Sequence, residues 1–156
     1  MKKILIVCLS LAIVTMFFSG CSYRVGDFTV ISTKNVDIGG KYKKIDQRFE
    51  GIDSRPIILS IPLGRPDLKQ AVDNCIEAGK GELISNAVVD FSIWTIILYG
   101  EQKYVVKGDV WQKASTSDLD NPKVELYTLQ ASAEGYQLVS STDPSKSVNV
   151  EYLATR

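Results

Sequence analysis

From Ile4 to Phe18 the chain is apolar except at Ser10 and Thr15, and no later stretch stays apolar for so long. Beyond it the pattern changes several times. Phe28, Thr29, Val30 and Ile31 read as a strand, and Gly39-Gly40 with Lys41, Lys43 and Lys44 around Tyr42 reads as a solvated loop. The run from Pro56 to Ile61 predicts a short buried strand stopped by Pro62 and Gly64. Leu68, Ala71, Val72, Cys75 and Ile76 then recur at the spacing of one helical face. Pro66 suits the first helical position, Asp67 places a negative charge in the first turn, and Gly79 fits a left-handed cap. Ala87–Tyr99 and Lys103–Trp111 are rich in Val, Ile, Phe, Trp and Tyr, and predict two strands joined through Gly100-Glu101-Gln102. The first of them is apolar on both faces beyond Ile93, which predicts a covered, central position. Ala114–Pro122 is polar and reads as a loop or linker. Val124–Leu129 and Val148–Leu153, separated by Asp143-Pro144-Ser145, are further strand candidates.

The expected fold is therefore a single α+β domain, a small mainly antiparallel sheet with one main helix packed on it. The chain divides as 1–20, 21–33 leading into the first strand, a core at 34–113, a loop at 114–122, and C-terminal strands at 123–156. No solenoid-like repeat runs through it.

Composition narrows the chemistry. At 156 residues, 45% apolar and 23% charged, the chain is the size and kind of one globular domain. Histidine is absent, which removes Ser-His-Asp and Cys-His catalysis and every imidazole metal site. The 18 basic and 18 acidic residues leave no basic excess for nucleic acid. No cofactor is expected: the chain has neither Ser-x-x-Lys nor Gly-x-Ser-x-Gly, and no acidic loop has calcium spacing.

Lys2 and Lys3 precede the apolar run, and the small pair Ser19-Gly20 follows it, directly before Cys21. The 15 residues from Ile4 to Phe18 fall short of the ~20 that span a bilayer, so the order reads as a secretory signal peptide. Phe17-Phe18-Ser19-Gly20-Cys21 resembles the lipobox of bacterial lipoproteins, with Phe18 standing where Leu, Val or Ile is more usual. The resemblance implies cleavage between Gly20 and Cys21, and several acyl chains on Cys21 as the first residue of the mature protein. Two or more chains hold a protein stably on a membrane. Ser22 in place of Asp implies sorting to the outer membrane, facing the periplasm. Cleavage removes Lys2 and Lys3 and leaves 16 basic residues against 18 acidic. Cys8 departs with the signal and Cys21 is taken by lipid, so Cys75 remains as a buried thiol with no disulfide partner. The segment from Leu68 to Gly108, with its Gly-ended helix, Asp90 in an apolar strand, and Tyr99-Gly100 and Lys107-Gly108, resembles the small TRL-like lipoproteins. That likeness covers about a quarter of the chain.

Three features invite chemistry. Gly79-Lys80-Gly81 follows a helix, whereas a phosphate loop precedes one, so it reads as a cap. Asp90 and Asp109 become diagonal neighbours if the hairpin turns about Gly100-Glu101, close enough for glycoside hydrolysis. A turn about Glu101-Gln102 instead sets Asp90 opposite Lys113. Tyr42, Trp94, Tyr99, Tyr104 and Trp111 are candidates for a binding surface, against the plainer reading of sheet core and cross-strand pairs. The expectation is an envelope lipoprotein, not an enzyme, anchored to the membrane through Cys21 and binding or scaffolding an envelope protein partner. A carboxylate-dependent hydrolase using Asp90 and Asp109, and a lipoprotein that blocks or inhibits an outer-membrane receptor, are the alternatives.

Overall fold

The computed structural model describes residues 19–96, 98–132, 135–143, 145 and 147–149. The signal segment at 1–18 and the end of the expected last strand, beyond Asn149, lie outside the described residues. The strands are β1 (Ser19–Ile31), β2 (Lys41–Ile58), β3 (Ile61–Pro62), β4 (Leu83–Ile96), β5 (Tyr99–Lys113), β6 (Leu126–Ser132), β7 (Gly135–Ser140) and β8 (Ser147–Asn149). The helices are α1 (Leu68–Ala78) and the single turn α2 (Thr116–Leu119). All described pairings are antiparallel, in the order β1-β4-β5-β2-β6-β7-β8, with β3 beside β2.

This overturns the expected α+β layout. Among the described residues the protein is mostly antiparallel sheet, and the one substantial helix there is a cover over part of it. The discrepancy lies in β1 and β2, of 13 and 18 residues, where sequence patterning shows two short strands and a lysine-rich loop. Both contain runs exposed on both faces, 20–25 in β1 and 46–48 in β2, so polar residues such as Lys43, Asp46 and Glu50 take strand positions without forming an apolar run. Backbone pairing to β4 and β5 holds them in place, and local side-chain chemistry does not reveal that pairing. Pro56 sits inside β2, paired with Glu101, instead of starting a strand.

Other boundaries move as well. Asp67, and not Pro66, begins the helix: its carboxylate accepts from Lys69 N at 2.8 Å, and its own N–H donates to Asp53 Oδ2 at 2.7 Å. Gly79 is not left-handed (φ −89°); Lys80 takes that conformation at φ 51°. Glycine stands at 79 and 81 because a Cβ there would come within 2.6 and 2.2 Å of Val110 Cγ1. Between β4 and β5 the chain turns between Ile96 and Tyr99, three residues ahead of the expected connection. In the polar stretch at 114–122, Ser115 and Asp118 form a capping box for α2.

Two apolar clusters fill the molecule. Ala71, Val72, Cys75 and Ile76 of α1 meet Ile84, Ala87, Val89, Val106 and Val110 of β4 and β5. Gly51 on β2 makes this approach so close that a Cβ would lie 2.2 Å from Ala71 O and from Cys75 N. Tyr42, Leu83, Trp111, Leu129 and Leu138 form the second cluster, which carries the sheet on into β6 and β7. Register shifts in β2 and β4, the latter with Asn86 at φ 49°, flank Asp109 on β5. Such bulges add twist, which bends the sheet around the helix.

Candidate functional site

Cys21 is exposed and lies near the start of β1, opposite Ile93 of β4. No loose segment separates it from the folded domain. Lipid on its sulfur would hold the edge of the sheet itself at a membrane surface.

Following that rung across the sheet leads from Cys21 to Ile93, then Gln102, then Arg55. One rung nearer the hairpin end, Gly20, Trp94, Glu101 and Pro56 align, and the next aligns Ser19, Thr95, Gly100, Ile57 and Pro62. The last row is Ile96, Tyr99, Ile58 and Ile61, which are 40, 52, 43 and 63% exposed. Two hairpins close this end. They are tied together by Leu59 N–H, which donates to Leu98 O at 2.9 Å.

The aromatic candidates separate into two groups. Tyr42 and Trp111 are buried, so neither lines a surface, which corrects that part of the expected binding face. Tyr42 packs in the second cluster with its hydroxyl donating to Asp37 O, and burial pushes its phenol above the ordinary range. The Trp111 indole donates to Ser85 Oγ at 2.8 Å and meets Tyr127 edge to face. Tyr104 packs on the α1 cluster and against Phe91. Only Trp94 and Tyr99, with rings 5.7 Å apart, stand at the open hairpin end.

Register also keeps the two carboxylates apart. Asp90 faces Val105, and Asp109 faces Ser85. The four residues from Val105 to Asp109 span roughly 13 Å of strand, beyond the separation either glycosidase geometry uses. Each carboxylate has basic partners: Arg24 Nε lies 3.8 Å from Asp90, while Lys44 and Arg48 lie 3.0 and 3.8 Å from Asp109. A shallow depression of about 400 Å³ beside them is lined by Arg24, Arg48, Glu50, Asp90 and Lys107. Its charges are paired across neighbouring strands, Lys107 with Glu50 at 3.3 Å among them.

At the opposite end, Lys34, Lys80 and Lys113 border a second depression of about 530 Å³ around Gly81. Lys34 donates to Gly81 O and Lys113 to Asp37, which turns two of the three cations to holding loops in place. Cys75 lies against Gly51 and the sheet, and burial pushes its thiol up to about 11, which leaves it inert at neutral pH. Among the described residues no helix is long and apolar enough to cross a membrane, and no cluster of carboxylates and thiols has metal-ligand spacing.

Compared with family models, with curated proteins and with solved structures, the chain matches none. The lipobox and TRL-like resemblances therefore rest on the residues quoted for them.

Sequence reasoning missed the hairpin end as a unit. Its signal was the absence of charge in two separated stretches, 57–64 and 91–100, which only the strand pairing brings together.

Proposed function

We propose that the protein is a lipoprotein of the cell envelope, tied by acyl chains on Cys21 to the outer membrane and facing the periplasm, whose sheet domain binds or scaffolds a partner there. The observation that carries this reading is the order Lys2-Lys3, apolar run, Ser19-Gly20-Cys21, which ends on an exposed cysteine at the first residues of the sheet. Anchoring at that point leaves the domain lying directly on the bilayer. The face of the sheet turned away from α1, with its paired charges from Arg24 to Lys107, is the surface open to an envelope protein. Catalysis has no part in the proposal, because Asp90 and Asp109 are separate and each is committed to basic neighbours.

The test is metabolic labelling with palmitate, followed by separation of membrane and soluble fractions. The wild-type chain takes up label and sediments with membranes. Cys21→Ser is expected to lose the label completely and to accumulate with residues 1–20 still attached. Label retained by Cys21→Ser, or a wild-type chain that is never labelled, sinks the reading.

A further inference from the structure

Seven of the twelve large apolar side chains that are exposed among the described residues lie at one end of the sheet. Ile58, Leu59, Ile61 and Leu63 come from the β2–β3 hairpin and the residue just past β3. Ile96, Leu98 and Tyr99 come from the β4–β5 hairpin. Neither contributing stretch, 57–64 or 91–100, contains a charged residue. Behind the apolar rows stand three cations: Arg55 shares a rung with Cys21, Lys103 is one rung further back, and Arg65 follows the β2–β3 hairpin. Two acids stand among them, Asp53 paired with Arg55 at 3.1 Å and Glu101 paired with Lys103 at 3.7 Å.

The backbone at this end runs against its own stability. Ile58 and Ile61 pair across a two-residue turn whose central residues, Leu59 and Ser60, have φ 51° and 64°. That is the turn for which Asn-Gly is the favoured sequence, and leucine is a poor occupant of a left-handed position. Leu59 is also 62% exposed, so it satisfies neither the turn nor the core. A large apolar residue held in an unfavourable conformation and pointed at solvent has a role outside the folded chain.

We infer that this end of the sheet is a membrane-inserting cap, which enters the interface of the bilayer that anchors Cys21. The inference rests on the anchored reading for which membrane it meets. Geometry selects lipid over a protein partner. Ile93, opposite Cys21, is three residues from Ile96, so the cysteine stands roughly 10 Å behind the final apolar row. Interfacial apolar surfaces sink ~5–10 Å into the boundary between headgroups and acyl chains. At that depth Cys21 reaches the level from which its acyl chains can enter the hydrocarbon. Trp94 and Tyr99 then sit where amphipathic rings favour the interface, and Arg55, Lys103 and Arg65 lie among anionic headgroups. The strands stand on the membrane, and the lipid and the cap hold the same end.

Depth-dependent quenching of Trp94 tests this. The full-length chain, purified from membranes, is reconstituted into phosphatidylethanolamine–phosphatidylglycerol vesicles whose acyl chains carry bromine near the headgroup or near the methyl end. Trp111 is buried in the core and gives an unquenched background, so Trp94→Phe identifies the responsive signal. Emission from Trp94 is expected to be quenched more strongly by bromine near the headgroup. Leu59→Asp with Leu98→Asp should weaken the membrane contact by roughly tenfold per residue and abolish the quenching. Both positions are exposed, and aspartate tolerates the Leu59 backbone better than leucine does, so an unchanged thermal unfolding midpoint checks the fold of the variant. An acylated, membrane-bound chain whose Trp94 is unquenched overturns the cap and leaves the anchor standing. Quenching of a chain that carries no acyl group, lost in the double variant, supports the cap and removes the anchor. With neither acylation nor quenching, both fall.

Discussion

Gly51 and Ile58 lie on the same strand with six residues between them, and the two serve opposite ends of the molecule. At Gly51 the helix comes so near that no side chain fits, and Ala71 and Cys75, which it meets there, are buried. At Ile58 the same strand ends in an apolar row with nothing over it. The first region is arranged for stability: close backbone approach, a dry thiol, glycines where helix and sheet touch. The second gives stability up, with leucine in a left-handed turn and isoleucine facing solvent. One sheet thus carries an end that completes itself and an end that requires a surface to complete it.

The contrast breaks most sharply at the helix. Gly51→Val drives a branched side chain into Ala71 O and Cys75 N, and α1 must lift from the sheet. A loss of about 3 kcal/mol or more in urea unfolding is expected, since the clash is with backbone that cannot rotate away. An unchanged midpoint would show that α1 does not rest on β2.

A smaller effect concerns the thiol beneath that helix. Burial raises Cys75 from an ordinary 9.0 to about 11 in the folded chain, with Glu50 adding to the rise and a hydrogen bond from the Gly108 backbone opposing it. Between those values the unfolded chain has released the proton and the folded chain still holds it, so unfolding is favoured as pH rises. Stability should decline from pH 9 to about 11, by about 2 kcal/mol in the part due to this group. Measuring Cys75→Ala alongside isolates that part from the lysines and tyrosines that titrate in the same range. Identical alkaline limbs for the two chains would mean that the thiol is solvated.

The smallest change has the opposite sign and belongs to the other end. Leu59→Asn with Ser60→Gly places the favoured pair in the turn, and is expected to raise stability by about 1 kcal/mol in thermal unfolding. The same double variant should weaken the quenching of Trp94 by brominated lipid. Gaining stability while losing membrane contact is the pattern of a residue kept for function. A variant that lost stability instead would place Leu59 with the core, and the division between the two ends would fail.

Sequence reading succeeded where a single segment carries its own pattern. The helix face from Leu68 to Ile76 lies where its spacing put it, and its cap missed by two residues because the Asp67 carboxylate competes with Pro66 for the start. β4 and β5 were legible from their apolar runs, though not their register. That register moved Asp90 and Asp109 apart, since each residue of slippage shifts every pairing along the hairpin. From its side chains β2 reads as a loop followed by a short strand, because its exposed positions take polar residues freely once β5 supplies the backbone partners.

By itself the sequence determined what is local: a positive start, an apolar run and a cysteine after two small residues; a helix with one apolar face; a chain with no histidine for the commonest catalytic chemistry. Tertiary structure alone decided what stands beside what. It buried Tyr42 and Trp111, left Tyr99 exposed and Trp94 half-buried at the hairpin end, and stacked two uncharged stretches, 57–64 and 91–100, into one apolar end beside Cys21. The reason is that strand pairing is non-local. A helix closes its hydrogen bonds within its own segment, whereas a strand depends on partners far along the chain.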